Sequence, residues 1–213
     1  MVETEQNLFN EWRKIHPNLV LDGMVNHEKY IQSNPRVLLI LKEVNDLGGG
    51  NWDLRNFLLK GGRWQTWNTV TRWLIGIDNL NREVSWQEIS KIDDKLRIEE
   101  LQRLCVINLK KSPGGSSSEM DEIEQIALSD KKLLNQQFKL YKPNIIICGG
   151  TGNIVTEILE PVKLNNWKET KRGVSYNQID NECYLFSYYH PQARIKESFL
   201  YYGILDAIRE VYR

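Results

Sequence analysis

Apolar positions along this chain alternate between helical spacing and short unbroken runs. Leu8, Phe9, Trp12 and Ile15 fall on one face of a helix predicted over Glu5 to Ile15. After a polar stretch, Arg36 to Leu41 is a continuous apolar run, the pattern of a strand buried on both faces. Residues 42 to 62 are polar and studded with glycine, with a short helix predicted around Asp53 to Leu59; loops this long in compact domains tend to carry function. Helical spacing returns over Trp64 to Ile75 and over Trp86 to Leu104, the latter as one or two helices. Cys105 to Leu109 is a second strand. Ser118 followed by Asp121 marks a helix start, with helix running to about Tyr141. Asn144 to Cys148 is a third strand, and Gly149 to Asn153 turns into a helix ending near Glu160. Residues 163 to 182 form a hairpin-like excursion before a fourth strand, Cys183 to Ser187, and the segment Ala193 to Tyr212 has the spacing of a final amphipathic helix.

Helices alternating with buried strands predict an α/β fold, a three-layer sandwich on a mainly parallel sheet of about four strands with right-handed crossovers. The chain of 213 residues is long enough for one large domain, with residues 1 to about 34 as a helical extension. No repeat and no convincing linker divides it.

Charge and cysteine usage narrow the classes. Twenty-eight basic residues balance twenty-eight acidic ones, so any nucleic-acid partner is held by a local patch rather than by bulk charge. No apolar run reaches membrane-spanning length and the first residues carry no apolar signal segment, so a cytoplasmic protein without a membrane partner is expected. Cys105, Cys148 and Cys183 are odd in number and sit in strands, as expected for reduced core thiols.

His190 and Pro191 follow the fourth strand, at the carboxyl edge where open α/β sheets bind ligands. If the strands run parallel, the first brings Glu43, Asn45 and Asp46 to that rim, the second brings Asn108, and the fourth brings His190. A carboxamide can pair with the edge of a heterocyclic base, an imidazole can stabilise charge on a departing ring, and a carboxylate can face an oxocarbenium-like sugar and hold water. Lys42 can pair with Glu43 and keep it ionised. Trp52, Arg63, Trp64 and Trp67 mix aromatics and cations, a composition suited to unstacked bases, although Trp64, Trp67 and Trp73 also have the spacing of a packed helical face. Lys110 and Lys111 read either as a solvated pair or as phosphate contacts. Gly149-Gly150-Thr151-Gly152-Asn153 lacks the spacing of a dinucleotide fingerprint and reads first as tight strand-to-helix packing, with backbone contact to a ligand as the alternative. His16 and His27 receive no role.

In order and content these segments resemble the uracil-DNA glycosylase superfamily, especially its thermophilic-type branch. The resemblance covers residues 35 to 212 and is carried by Leu38-Leu39-Ile40-Leu41-Lys42-Glu43, Gly62-Arg63-Trp64, Val106-Ile107-Asn108-Leu109-Lys110-Lys111-Ser112-Pro113-Gly114, Lys142-Pro143-Asn144-Ile145-Ile146-Ile147-Cys148-Gly149 and His190-Pro191-Gln192-Ala193. It implies a DNA glycosylase that hydrolyses the N-glycosidic bond of uracil or another damaged base. A base- or nucleotide-binding protein without cleavage is the alternative on the same fold. The resemblance implies that Asn108 reads the base edge, His190 supports the leaving base, and Glu43 positions water, with Asn45 or Asp46 as rivals. Trp64, or Trp67 in its place, stacks on the flipped base. Lys110, Lys111, Ser112, Gly114 and Arg194 lie on loops expected to approach phosphates of single- or double-stranded DNA. The chain departs from the family pattern at Lys42, where a glycine is usual, in the missing proline after Glu43, and at Gln192, where serine is common. It also lacks the cysteines of that branch's iron–sulfur cluster, so no cluster, metal or other cofactor is expected.

Overall fold

The structure, a computed structural model, describes residues 2–46, 48–115, 117–162 and 166–212. Parts of the expected excursion (163–165) and of the serine-rich loop (Ser116) lie outside the described residues. In chain order the elements are α1 (Val2–Ile15), β1 (Gly23–Met24), α2 (His27–Gln32), β2 (Val37–Leu41), α3 (Leu54–Leu58), α4 (Trp64–Asp78), α5 (Trp86–Ile89), α6 (Asp94–Leu101), β3 (Leu104–Asn108), α7 (Met120–Ser129), α8 (Lys131–Tyr141), β4 (Ile145–Gly149), α9 (Gly152–Ile158), β5 (Trp167–Glu169), β6 (Ser175–Gln178), β7 (Tyr184–Tyr188) and α10 (Glu197–Val211).

The fold is α/β, as the alternation predicts. All five residues of β2, of β3 and of β4 are buried, which is why each reads as an apolar run, interrupted only by Asn108 at the end of β3. Their side chains alternate between two cores. Leu39, Val106, Ile147 and Phe186 meet α4 and α10 on one face, while Leu38, Cys105, Ile146 and Leu185 meet α1, α7, α8 and α9 on the other. Helix α4 buries Trp67, Val70, Trp73, Leu74 and Ile77 at helical spacing.

The sheet is larger and more mixed than expected. Its order is β1-β3-β2-β4-β7-β6-β5, with β2/β3, β2/β4 and β4/β7 parallel and the remaining three pairings antiparallel. Thus the four anticipated strands form a parallel centre, and short antiparallel strands extend both edges. Strand β1 has two residues, too few to show a period. It stays close to its neighbours because Gly23 (φ 119°) leaves the space that a Cβ would take from Tyr141 Oη and Glu5 Oε1.

Residues 2–34 build into the domain rather than extending from it. Trp12 is fully buried in the core and β1 completes one sheet edge. The single helix expected up to Tyr141 is two helices, broken at Asp130. The Asp130 carboxylate accepts from Trp12 Nε1 at 2.9 Å and lies 2.7 Å from His16 Nε2, so a contact from α1 and its following turn sits at the break.

In the parallel centre the chain runs from β2 outward to β3, then crosses back to β4 on the opposite side of β2. Connections therefore leave neighbouring strands in opposite directions, which opens a crevice at the carboxyl ends of β2 and β4.

Candidate functional site

A cavity of about 800 Å³ opens at that rim, lined by the loop after β2, by Asn108 at the end of β3 and by His190 after β7. Beyond the sheet the β2 and β3 loops stay paired: Leu109 N–H donates to Leu41 O at 2.9 Å, Gly114 N–H to Val44 O at 2.9 Å and Asp46 N–H to Gly114 O at 3.1 Å. A Cβ at Gly114 would fall on the Glu43 carboxylate, so glycine is what allows this loop to lie over that side chain.

Glu43 lines the cavity, but its partner is not Lys42. Its Oε2 lies 2.7 Å from Lys110 Nζ, with the two side chains 4% and 7% exposed, and Lys110 also reaches Glu122 at 2.9 Å. Burial opposes the charge on Lys110, yet the hydrogen bonds to Glu43 and Glu122 outweigh it and hold the ammonium above the usual lysine range. Lys111 is more deeply engaged, 2.9 and 2.8 Å from the two Asp22 oxygens and 2.7 Å from Gln137 Oε1. Burial pulls its pKa down against the opposing pull of Asp22. The expectation that Lys110 and Lys111 contact phosphate is therefore corrected: both ammonium groups are turned inward and neutralised by carboxylates.

Asn108 is 2% exposed. Its backbone N–H donates to Asp22 Oδ2 at 2.7 Å and its Nδ2 lies 3.5 Å from the same oxygen, while Oδ1 has no hydrogen-bond partner among the described residues. Buried polar atoms without partners are uncommon, and this one belongs to a residue that lines a cavity.

His190 is fixed in a definite protonation state. Its Nδ1 accepts from the Gln192 backbone N–H at 3.1 Å. Burial first, and then the Lys42 charge, lower its pKa to about 4, so at neutral pH the ring is uncharged and its proton sits on Nε2. Since Gln192 contributes its backbone here, serine is not required for this contact. Pro191 packs beside Gly149, where a Cβ would meet Leu41, and a Cβ at Gly152 would strike Ser187. None of residues 149 to 153 lines the cavity, and Gly149 and Gly152 are packed closely against the neighbouring strands.

The aromatic wall differs from the first expectation. Trp67, 5% exposed, lines the cavity, whereas Trp64 is 58% exposed and does not. Trp52 and Phe57 join Trp67, with ring centroids 5.8 Å apart in an edge arrangement. Asp46 orders this loop: its carboxylate accepts from Trp52 Nε1 at 2.7 Å, Gly48 N–H at 2.7 Å and Gly50 N–H at 3.0 Å, bonds that lower its pKa in that order of strength. Asp46 is thus a loop organiser, and Asn45 is exposed and bridges to Gly114 through its backbone. The N-terminal segment supports the same wall, since Leu21 N–H donates to Trp52 O at 3.0 Å and Leu54 N–H to Leu21 O at 2.9 Å. Phe57 has no signal in the sequence beyond its place five residues after Trp52.

On the loops expected to approach phosphate, Gly115, Ser117 and Ser118 line the cavity and Ser112 and Gly114 do not. Arg194 is exposed, and Arg63 and Lys42 stand on the rim. The three cysteines are free and buried, and burial pushes the Cys183 thiol up to about 12. Among the described residues no cluster of three His, Cys, Asp or Glu side chains is placed to hold a metal ion, and no helix is long and apolar enough to cross a membrane.

No protein-family model and no curated protein sequence matches this chain.

Proposed function

We propose that the cavity receives a nucleobase from DNA and that the protein hydrolyses its N-glycosidic bond, in the manner the resemblance to uracil-DNA glycosylases implies. One observation carries this reading. Asn108, whose buried Oδ1 has no partner among the described residues, and His190, a neutral ring with its proton on Nε2, line one cavity walled by Trp52, Phe57 and Trp67. An acceptor and a donor against aromatic faces are what a flipped base with an N–H and a carbonyl requires. Stacking on such faces is worth about 1–3 kcal/mol per base.

In the proposed reaction water adds its oxygen to C1′ of the sugar while the base leaves with the electron pair of the N–C bond, and the proton that water loses ends on the released base anion. His190 Nε2–H hydrogen-bonds the oxygen on which that charge develops; as an uncharged ring it donates the bond without giving up its proton. The ionised Glu43 faces the oxocarbenium-like sugar. Lys42 and Arg63, which line the cavity, and the exposed Arg194, next in the chain to the lining residue Ala193, are the cations available to phosphate in place of Lys110 and Lys111. Free buried thiols suit a reducing cytoplasm.

A second reading, base or nucleotide binding without cleavage, is favoured by the state of Glu43. That carboxylate is tied to Lys110 and lies beneath Gly114, which limits its freedom to orient water. Release of free base from uracil-containing single- and double-stranded oligonucleotides separates the two readings. The first expects release that falls in Asn108→Ala and His190→Ala variants; the second expects ligand-dependent thermal stabilisation with no product.

A further inference from the structure

The Asn108 carboxamide has only one way to lie. Its Nδ2 contact with Asp22 Oδ2 is long at 3.5 Å, but charge decides its sense, because an ionised carboxylate offers only lone pairs and repels the carbonyl end of an amide. The 2.7 Å bond from the Asn108 backbone N–H to the same oxygen keeps the two residues in register. Asp22 is itself immobile: fully buried, it receives Lys111 Nζ on both oxygens and Gln137 Nε2 at 2.7 Å. Gln137 Oε1 accepts from Lys111 at 2.7 Å, so its amide is oriented by the same pair. The Lys111 ammonium also stands 4.7 Å from the centre of the Trp12 ring. Every polar atom of this cluster on the Asp22 side is engaged, and the one left over is Asn108 Oδ1, buried without a partner among the described residues on a side chain whose residue lines the cavity.

We propose that Asp22 is a positioning residue that locks Asn108 with its carbonyl oxygen turned away from the carboxylate and left for a ligand of the cavity, so that the site selects ligands presenting an N–H to it and rejects those presenting an acceptor. The ligand class rests on the base-binding reading above; the lock does not. With a neutral residue at position 22 the carboxamide has two orientations of similar energy, and a base presenting an acceptor gains access to the NH2 end. Discrimination built on a buried hydrogen bond is lost when its orientation is no longer enforced.

The test uses the full chain and the double variant Asp22→Asn/Lys111→Met, which removes both charges together and leaves neither buried alone. Nitrogen–proton spectra of the Asn108 side-chain amide, assigned by its disappearance in Asn108→Ala, report the lock directly. In the wild type the amide protons exchange slowly, and in the double variant at least about tenfold faster. Rapid exchange in the wild type overturns the proposal whether or not the variant folds, and so does unchanged slow exchange in a folded variant. In parallel, thermal shifts are measured with uracil, with 3-methyluracil, which lacks the N3–H, and with cytosine, whose N3 is an acceptor. The wild type is expected to bind uracil at least about tenfold more tightly than either, and the variant to lose that ratio. A ratio that survives in the folded variant overturns the proposal. Absence of any shift in the wild type counts against the base-binding reading instead, and the amide spectrum then decides the lock alone.

Discussion

Lys110 Nζ stands 2.7 Å from Glu43 Oε2, both side chains buried, so a lysine that reads as a surface charge is the counterion of the cavity carboxylate. Removing one partner of such a pair leaves a charge buried without compensation. Lys110→Met is expected to destabilise the fold by about 3 kcal/mol in urea unfolding, and Lys110→Met/Glu43→Gln to recover most of that loss.

Gly114→Ala tests how closely the loop lies over Glu43. The added methyl has no space while the carboxylate stays in place. A loss of about 1–3 kcal/mol in stability is expected, together with weakened base binding, both measured on the same purified variant. The same substitution at Gly49, where a Cβ meets nothing within 4 Å, controls for loop entropy but carries the strain of its positive φ.

His190 makes stability depend on pH in a defined direction. Its folded pKa, about 4, lies below the ordinary histidine value of about 6.5. At pH above 6.5 the ring is neutral in both states and its contribution is complete. As pH falls from about 6.5 to 4 the unfolded chain takes up a proton that the folded ring refuses, and stability is lost, by at most about 3 kcal/mol. Unfolding measured across this range is expected to fall more steeply for the wild type than for His190→Asn, and the His190 ring resonances to titrate near pH 4.

The tryptophans separate cleanly. Trp64→Ala is expected to change stability by less than about 0.5 kcal/mol, as exposed positions do. Trp67→Ala is expected to cost about 3–5 kcal/mol and to abolish base-dependent stabilisation.

The parts of this architecture legible in the sequence are those set by local pattern. The continuous apolar runs of β2, β3 and β4 locate the parallel centre because burial on both faces leaves a polar side chain only at the end of β3, at Asn108. Asn108 and His190 follow from standing at the ends of such runs. Long-range pairings were not legible. Lys111 and Asp22 are 89 residues apart and Trp12 and Asp130 are 118 apart, so neither the inward turn of the lysine nor the break between α7 and α8 has a local signature. Strand β1 is too short to show a period, and β5 at the sheet edge and β6 beside it carry mostly polar, exposed or half-buried positions. The choice between Trp64 and Trp67 depends on the direction of the helix entering from Gly62, where a Cβ would strike the Trp67 ring.

The most direct measurement of the central claim is release of free base from uracil-containing oligonucleotides by the wild type, Asn108→Ala and His190→Ala. The account predicts release by the wild type and a fall of at least about a hundredfold in each variant, the scale of removing one donor that stabilises developing charge. Equal release by all three proteins, or neither release by nor uracil-dependent stabilisation of the wild type, contradicts it.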